Sequence, residues 1–270
     1  MNHNISLEGG KSARLTTAGK YCDRDIIVTP ENLDDKLTQQ DVLIKQIKAA
    51  LQGKGSGGSG SAGPDYKTLY QRVEYIESAE EETYPYIITD VYADNSCGVE
   101  IIASFPKLQD RVPMGSREDS SATRFYCVYP LSASSVYYGF NGGSSVSCAL
   151  KANTIYRLQT NFLNSRLVNV YDEDGVRKAN ASLNATLTQH TIPISIFGYN
   201  SGTSGAMSSK REYKLYSARI SNGHEVVREY IPCYRKSDGV VGLYEKITGV
   251  FCENDDPEGS AFVAGAEIDW

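Results

Sequence analysis

The chain has 270 residues, enough to bury the core of one large domain. With 27 Lys and Arg against 33 Asp and Glu the net charge is −6, so no basic surplus invites a nucleic acid backbone. No apolar run reaches the roughly 18 residues of a membrane-spanning helix, and Met1-Asn2-His3-Asn4 opens no apolar secretory segment, so membrane insertion is not expected either.

Residues 1–30 form a short β-rich piece, with strand-like runs at 15–21 and 25–29 closed by Pro30. Thirty residues bury too little surface to fold alone, and the segment is expected to attach to a neighbouring chain.

Residues 31–52 change period. Leu33, Leu37, Gln40, Ile44, Ile47 and Leu51 are spaced as an unbroken heptad seam, with Asn32 placed to cap the helix and Asp34 and Asp35 in its first turn. A helix this short is marginal alone in water. Isoleucine at both seam positions favours three strands or more over two, so a coiled-coil homo-oligomer, a trimer, is expected.

Residues 53–64 are a Gly/Ser linker with a coil reach of about 20 Å.

Residues 65–270 read as all-β. Strands are predicted at 87–93, 98–105, 122–130, 134–140, 144–150, 154–162, 165–171, 191–198, 213–221, 225–231 and 240–252. Asn141-Gly142-Gly143, Asp174-Gly175, Asn222-Gly223 and Asp238-Gly239 supply the reversals. Such regular short strands predict an antiparallel two-sheet sandwich. The 19 Tyr, 24 Gly and 3 Met agree with strands rather than a helical bundle. Six cysteines (22, 97, 127, 148, 233 and 252) lack C-x-x-C spacing, so free thiols are expected, with no zinc site or disulfide framework.

The run Tyr230-Ile231-Pro232-Cys233-Tyr234-Arg235-Lys236-Ser237-Asp238-Gly239-Val240-Val241-Gly242-Leu243-Tyr244, continued by Gly249-Val250-Phe251, resembles the C-terminal signature of concanavalin A-like (laminin G-like) sandwiches of phage and prophage tail proteins. Tyr75-Ile76-Glu77-Ser78 is similar to that family's first strand, and Leu15 to Cys22 with Ile26 to Pro30 to a short motif of the same tail proteins. The resemblance implies a jelly-roll sandwich behind a coiled-coil stalk, tail or baseplate proteins as partners of the N-terminus, and a virion tail as its place. By its own chemistry the signature is structural: Pro232 is expected to close a strand and Asp238-Gly239 to reverse the chain.

Chemistry is sparse. Sandwich glucanases place alternating acids on one strand, and no such run occurs; Asp172-Glu173-Asp174 reads as a solvated hairpin tip and Glu80-Glu81-Glu82 as an exposed loop. His190 and His224 have no adjacent Ser or Cys motif. Asp90, Asp94 and Asn95 offer oxygen ligands to calcium, but turn capping explains them equally, and no metal or cofactor is expected.

Sugar recognition needs aromatic faces and amide groups, and Tyr126, Tyr138, Phe140 and Asn141 are the set selected for it. Since neighbours on a strand face opposite ways, one of Tyr137 and Tyr138 is expected in the core. A second group is Tyr84, Tyr86 and Tyr92. The expected function is trimeric, non-catalytic binding of a bacterial surface polysaccharide. The rivals are a structural tail component and a glycan depolymerase.

Overall fold

In the computed structural model the described residues are 3–7, 11–15, 65–78, 85–109, 112–118, 125–200, 207–208, 212–256 and 261–270. The chain divides into two units, Met1–Gly60 and Ser61–Trp270. Of the first, a hairpin is described: β1 (His3–Leu7) pairs antiparallel with β2 (Lys11–Leu15), His3 opposite Leu15. This hairpin was not read from the sequence. The runs expected at 15–21 and 25–29 lie outside the described residues, apart from Leu15. So does the whole heptad seam, from Leu33 to Leu51.

The second unit opens with one helical turn, α1 (Tyr66–Leu69), whose cap Asp65 accepts from the Lys67 amide at 3.1 Å. Strands follow: β3 (Tyr70–Arg72), β4 (Ile76–Ser78), β5 (Ile87–Tyr92), β6 (Cys97–Ser104), β7 (Met114–Arg117), β8 (Phe125–Ser132) and β9 (Ser135–Phe140). Next come β10 (Gly143–Ser147), β11 (Ile155–Thr160), β12 (Leu167–Tyr171), β13 (Arg177–Ser182), β14 (Pro193–Ile196), β15 (Tyr199–Asn200) and β16 (Met207–Ser208). The last are β17 (Lys214–Asn222), β18 (Glu225–Arg235), β19 (Val241–Glu245), β20 (Val250–Cys252) and β21 (Phe262–Ala264).

They form an antiparallel two-sheet sandwich, as the strand pattern predicts. The smaller sheet runs β10-β9-β8-β7-β14-β5, with β15 lying parallel to β7. The larger runs β13-β12-β11-β6-β17-β18-β19-β20; β4 extends it through β17, and β3 through β18. Alternation dictates the packing: Val99, Ile101 and Ala103 of β6, Leu158 of β11, Val168 and Val170 of β12, and Ala218 and Ile220 of β17 all turn inward. They meet Tyr126, Val128, Val136 and Ile194 from the smaller sheet in one continuous core.

Turns fall where the glycines promise. Gly175, Gly223 and Gly239 take positive φ at hairpin tips, a backbone setting that costs glycine nothing. The predicted run 240–252 divides into β19 and β20 around Gly249, also at positive φ. Pro232 does not end its strand. β18 continues to Arg235 and changes partner at this point, from β17 (last pair Ala218 with Tyr230) to β3 (first pair Arg72 with Cys233). The missing proline amide falls at that junction, where no ladder bond is lost. Strand β7 was not read from the sequence because Met114-Gly115-Ser116-Arg117 lacks alternation; Gly115 is fixed there by close approach, since a Cβ would stand 2.4 Å from the Tyr126 carbonyl.

Candidate functional site

The residues that face away from the core on the larger sheet form one polar row. Direct cross-strand pairs link Asn169 to Gln159, Gln159 to Glu100, Glu100 to Arg219, and Arg219 to Glu229, across β12, β11, β6, β17 and β18. Directly opposed residues share a face, so this order is set by register alone.

Glu100 is 2% exposed, and a charge so placed needs partners. Arg219 Nε donates to its Oε1 at 2.8 Å, Arg219 Nη2 donates to the same atom, and Gln159 Nε2 donates to Oε2 at 2.5 Å. The Arg219 guanidinium also lies 5.1 Å from the Phe162 ring. One strand further, Glu229 pairs with Lys246 Nζ at 3.3 Å. Lys246 is positioned by the β19–β20 turn, which buried Glu245 closes: Oε1 accepts from the Ile247 amide at 3.1 Å and Oε2 from the Thr248 amide at 2.6 Å.

Beside this row the two ends of the unit meet. The segment after β21 runs back along β3, the Ile268 amide donating to the Arg72 carbonyl at 3.1 Å and the Glu74 amide to the Ala266 carbonyl at 2.8 Å. That pairing delivers Trp270, the sequence's one tryptophan, whose Nε1 donates to the Tyr70 carbonyl at 3.2 Å. Its ring stands edge-on to Tyr66, centroids 4.8 Å apart, and Tyr66 stacks on Tyr244 at 5.0 Å. Tyr70 stacks on Phe251 at 5.1 Å. Burial pushes the Tyr70 and Tyr244 hydroxyls above their ordinary range, so both remain neutral.

The aromatic cluster and the polar row enclose a pocket of about 360 Å³. Tyr66, Trp270 and Tyr216 supply ring surface, Ile102 and Ile231 an apolar floor, and Arg72, Glu100, Arg219, Glu229 and Lys246 the hydrogen-bonding groups. Rings beside fixed polar pairs suit a ligand with apolar C–H faces and many hydroxyls.

The residues selected from the sequence lie elsewhere. Tyr126 is fully buried, its hydroxyl donating to the Cys97 carbonyl at 3.2 Å, and Phe140 packs against it at 6.0 Å with 3% exposure. Tyr138 is half-buried against the same core. Asn141 sits half-exposed at the β9–β10 reversal with φ 57°. The structure does bring the four close, but Val136, Tyr138 and Phe140 share the inner face of β9, so no ring face of Tyr126 or Phe140 is left for a ligand. The outward set is Phe125, Tyr129 and Tyr137, the last two 5.0 Å apart. Of the second group, Tyr84 lies outside the described residues, Tyr86 packs on the core and Tyr92 is exposed on β5.

The three oxygen ligands considered for calcium do not converge. Asp90 binds Arg228, Asp94 caps the Ser96 and Cys97 amides, and Asn95 accepts from Arg166 at 3.0 Å and from the Leu187 amide. Among the described residues no cluster of His, Cys, Asp and Glu could hold a metal ion. His190 does meet a serine: its Nδ1 lies 2.8 Å from Ser116 Oγ, a proximity the sequence could not show. Both side chains are sealed, at 1% and 0% exposure, so the pair supports the fold and reaches no substrate. Asp172 closes its hairpin by accepting from the Val176 amide at 2.9 Å, and Glu173 and Asp174 are exposed, as a solvated tip requires.

No protein-family model matches the sequence, and neither does any curated protein. Several solved structures align with parts of the chain. A Bacteroides ovatus protein assigned to carbohydrate binding aligns with TM-score 0.47 and 11% identity, over 74% of this chain and 62% of its own. A heptameric SAP-like pentraxin of Limulus polyphemus aligns at 0.42 and 10%, over 57% and 78%. Domains LG4-5 of the mouse laminin alpha1 chain align at 0.36 and 10%, over 64% and 47%. The chain thus spans less than two thirds of the Bacteroides and laminin chains, and the description of the sandwich rests on its own strand order.

Proposed function

We propose that the second unit is a non-catalytic glycan-binding sandwich whose ligand lies in the pocket between Trp270 and the Glu100–Arg219 pair. The observation that carries this reading is the meeting of exposed ring surface with fixed polar pairs in a pocket of about 360 Å³, enough for one or two sugar rings. Binding is favoured over hydrolysis because both pocket carboxylates are committed: Glu100 to Arg219 and Gln159, Glu229 to Lys246. A glycan array probed with the full chain and with Trp270→Ala tests it. Specific signals that the variant loses support the reading; an array no different from buffer removes it. New reducing ends released from a bound polysaccharide would replace binding by hydrolysis.

The finer reading is a phage tail-fibre or receptor-binding protein, trimeric through the 31–52 seam and attached to the tail by residues 1–30. It is supported by the order stalk, linker and sandwich in the sequence and by the resemblance of its signature run. Three weak sites on one stalk would gain an avidity of about 10²–10⁴. Light scattering should give a trimer for the full chain and a monomer for Ile44→Lys with Ile47→Lys; a monomeric parent would overturn the stalk.

A further inference from the structure

Two arginines on the outer face of the larger sheet have no anion beside them among the described residues. Arg157 of β11 stands opposite Ile102 of the pocket floor on one side and Tyr171 of β12 on the other. Its guanidinium lies 4.2 Å from the Tyr171 ring centroid, and its Nε is buried without a hydrogen bond. Arg72, in the pocket wall, donates from Nη1 to the Asp269 carbonyl at 3.2 Å, and its Nε is likewise buried and unpartnered. Neither forms an ion pair with any described residue. The other pocket cations do: Arg219 holds Glu100, and Lys246 holds Glu229.

A half-buried guanidinium with no anion beside it forgoes the charge-assisted bonds that offset its dehydration. In a chain of net charge −6 with more acids than bases, two such groups on one face are a costly arrangement. Strand β3 continues the line of β17 along β18, and Arg157 and Arg72 stand two strand spacings and two residues apart, about 12 Å.

Resting on the glycan-binding reading, we infer that the ligand is an anionic linear polysaccharide laid across the strands. Arg72 and Arg157 receive its charged substituents through their outer guanidinium nitrogens. Planar guanidinium groups suit carboxylate or sulfate, whose paired oxygens match their fork.

Affinity electrophoresis of the full chain through gels containing polygalacturonate, its fully methyl-esterified form, heparin or dextran tests this. Retardation by polygalacturonate or heparin, but not by the ester or dextran, is expected, and the retarding polymer identifies carboxylate or sulfate as the charge that is read. Arg72→Gln and Arg157→Gln should each weaken that binding about tenfold or more, with melting temperatures confirming the fold, while Lys151→Gln in the exposed β10–β11 loop should leave it unchanged. Equal retardation by the ester or dextran, unchanged binding in both arginine variants, or an equal loss in Lys151→Gln overturns the inference and leaves the glycan reading standing. Failure of all four polymers, with glycans bound only in neutral form on the array, overturns it also. Failure of every glycan tried removes both.

Discussion

Arg219 donates from two nitrogens to a single oxygen of Glu100, while Gln159 takes the other oxygen from the opposite strand. The carboxylate is thereby held between β11 and β17 with both oxygens in use. Arg219→Ala should cost stability mainly by leaving Glu100 buried and unpaired. We expect about 2 kcal/mol, below the roughly 3–5 kcal/mol of a fully buried pair, because the Arg219 side chain is 36% exposed. Replacing both residues by leucine should recover most of that loss. Urea unfolding of the three proteins checks it, and a double variant no more stable than Arg219→Ala would show that the loss does not come from the stranded Glu100.

The strands were legible because a half-buried strand writes its alternation into the sequence, and four of the reversals carry an Asn-Gly or Asp-Gly. What alternation cannot tell is which of its two faces is the core. Tyr137 and Tyr138 were rightly set on opposite sides, yet the chosen partners, Tyr126 and Phe140, belong to the inner set. The pocket was illegible for a different reason. Arg219 lies 119 positions from Glu100, and Trp270 lies 200 from the Tyr70 carbonyl that holds it, so only the pairing registers bring them together. One usable signal was present: Ser217, Arg219, Glu229 and Ile231 occupy alternate positions of two strands correctly read, and therefore one face.

Gly242, within the signature run, should not accept a side chain. A Cβ there would stand 2.3 Å from the Cys252 carbonyl oxygen and 2.9 Å from Phe251 Cζ, and the first of these is backbone. Gly242→Ala should force β20 away from β19, at about 2 kcal/mol. That corresponds to a fall of roughly 5 °C in melting temperature, measurable by calorimetry. An unchanged melting temperature would mean that β20 shifts freely.

The thiols of the sandwich should be inert while it is folded. Cys97, Cys127, Cys148 and Cys233 are buried, and Cys252 is partly so, all as free cysteines. Burial pushes Cys97, Cys233 and Cys252 up to about 12, and for Cys252 the nearby carboxylates of Asp255 and Glu245 add to it. At pH 8 the reactive thiolate is then on the order of 10⁻⁴ of each. Iodoacetamide followed by peptide mass analysis should find these five unmodified in native protein and all modified in urea. Native labelling at the rate of a free thiol would contradict the sealed core.

Asp238 provides a pH dependence of known sign. Its carboxylate accepts from Arg235 Nε at 3.0 and 2.9 Å, and from the Val240 amide at 3.2 Å. The Arg235 contact, then the Val240 amide, hold its pKa below the ordinary 3.8. A carboxyl whose folded pKa is depressed binds fewer protons folded than unfolded between the two values, so stability rises with pH across that window. The contribution is complete above 3.8 and disappears as pH falls through the lowered folded value. It should be small, since the group is open to solvent and screened by salt. Asp238→Asn removes the charge but keeps an acceptor for the Val240 amide. The difference in melting temperature between parent and variant should therefore be constant at neutral pH and close only in acid, below 3.8. High salt should shrink it at every pH where it exists. A difference that persists undiminished at the acid end would assign the effect to turn geometry, and Arg235 would then be a packing residue rather than a counter-charge.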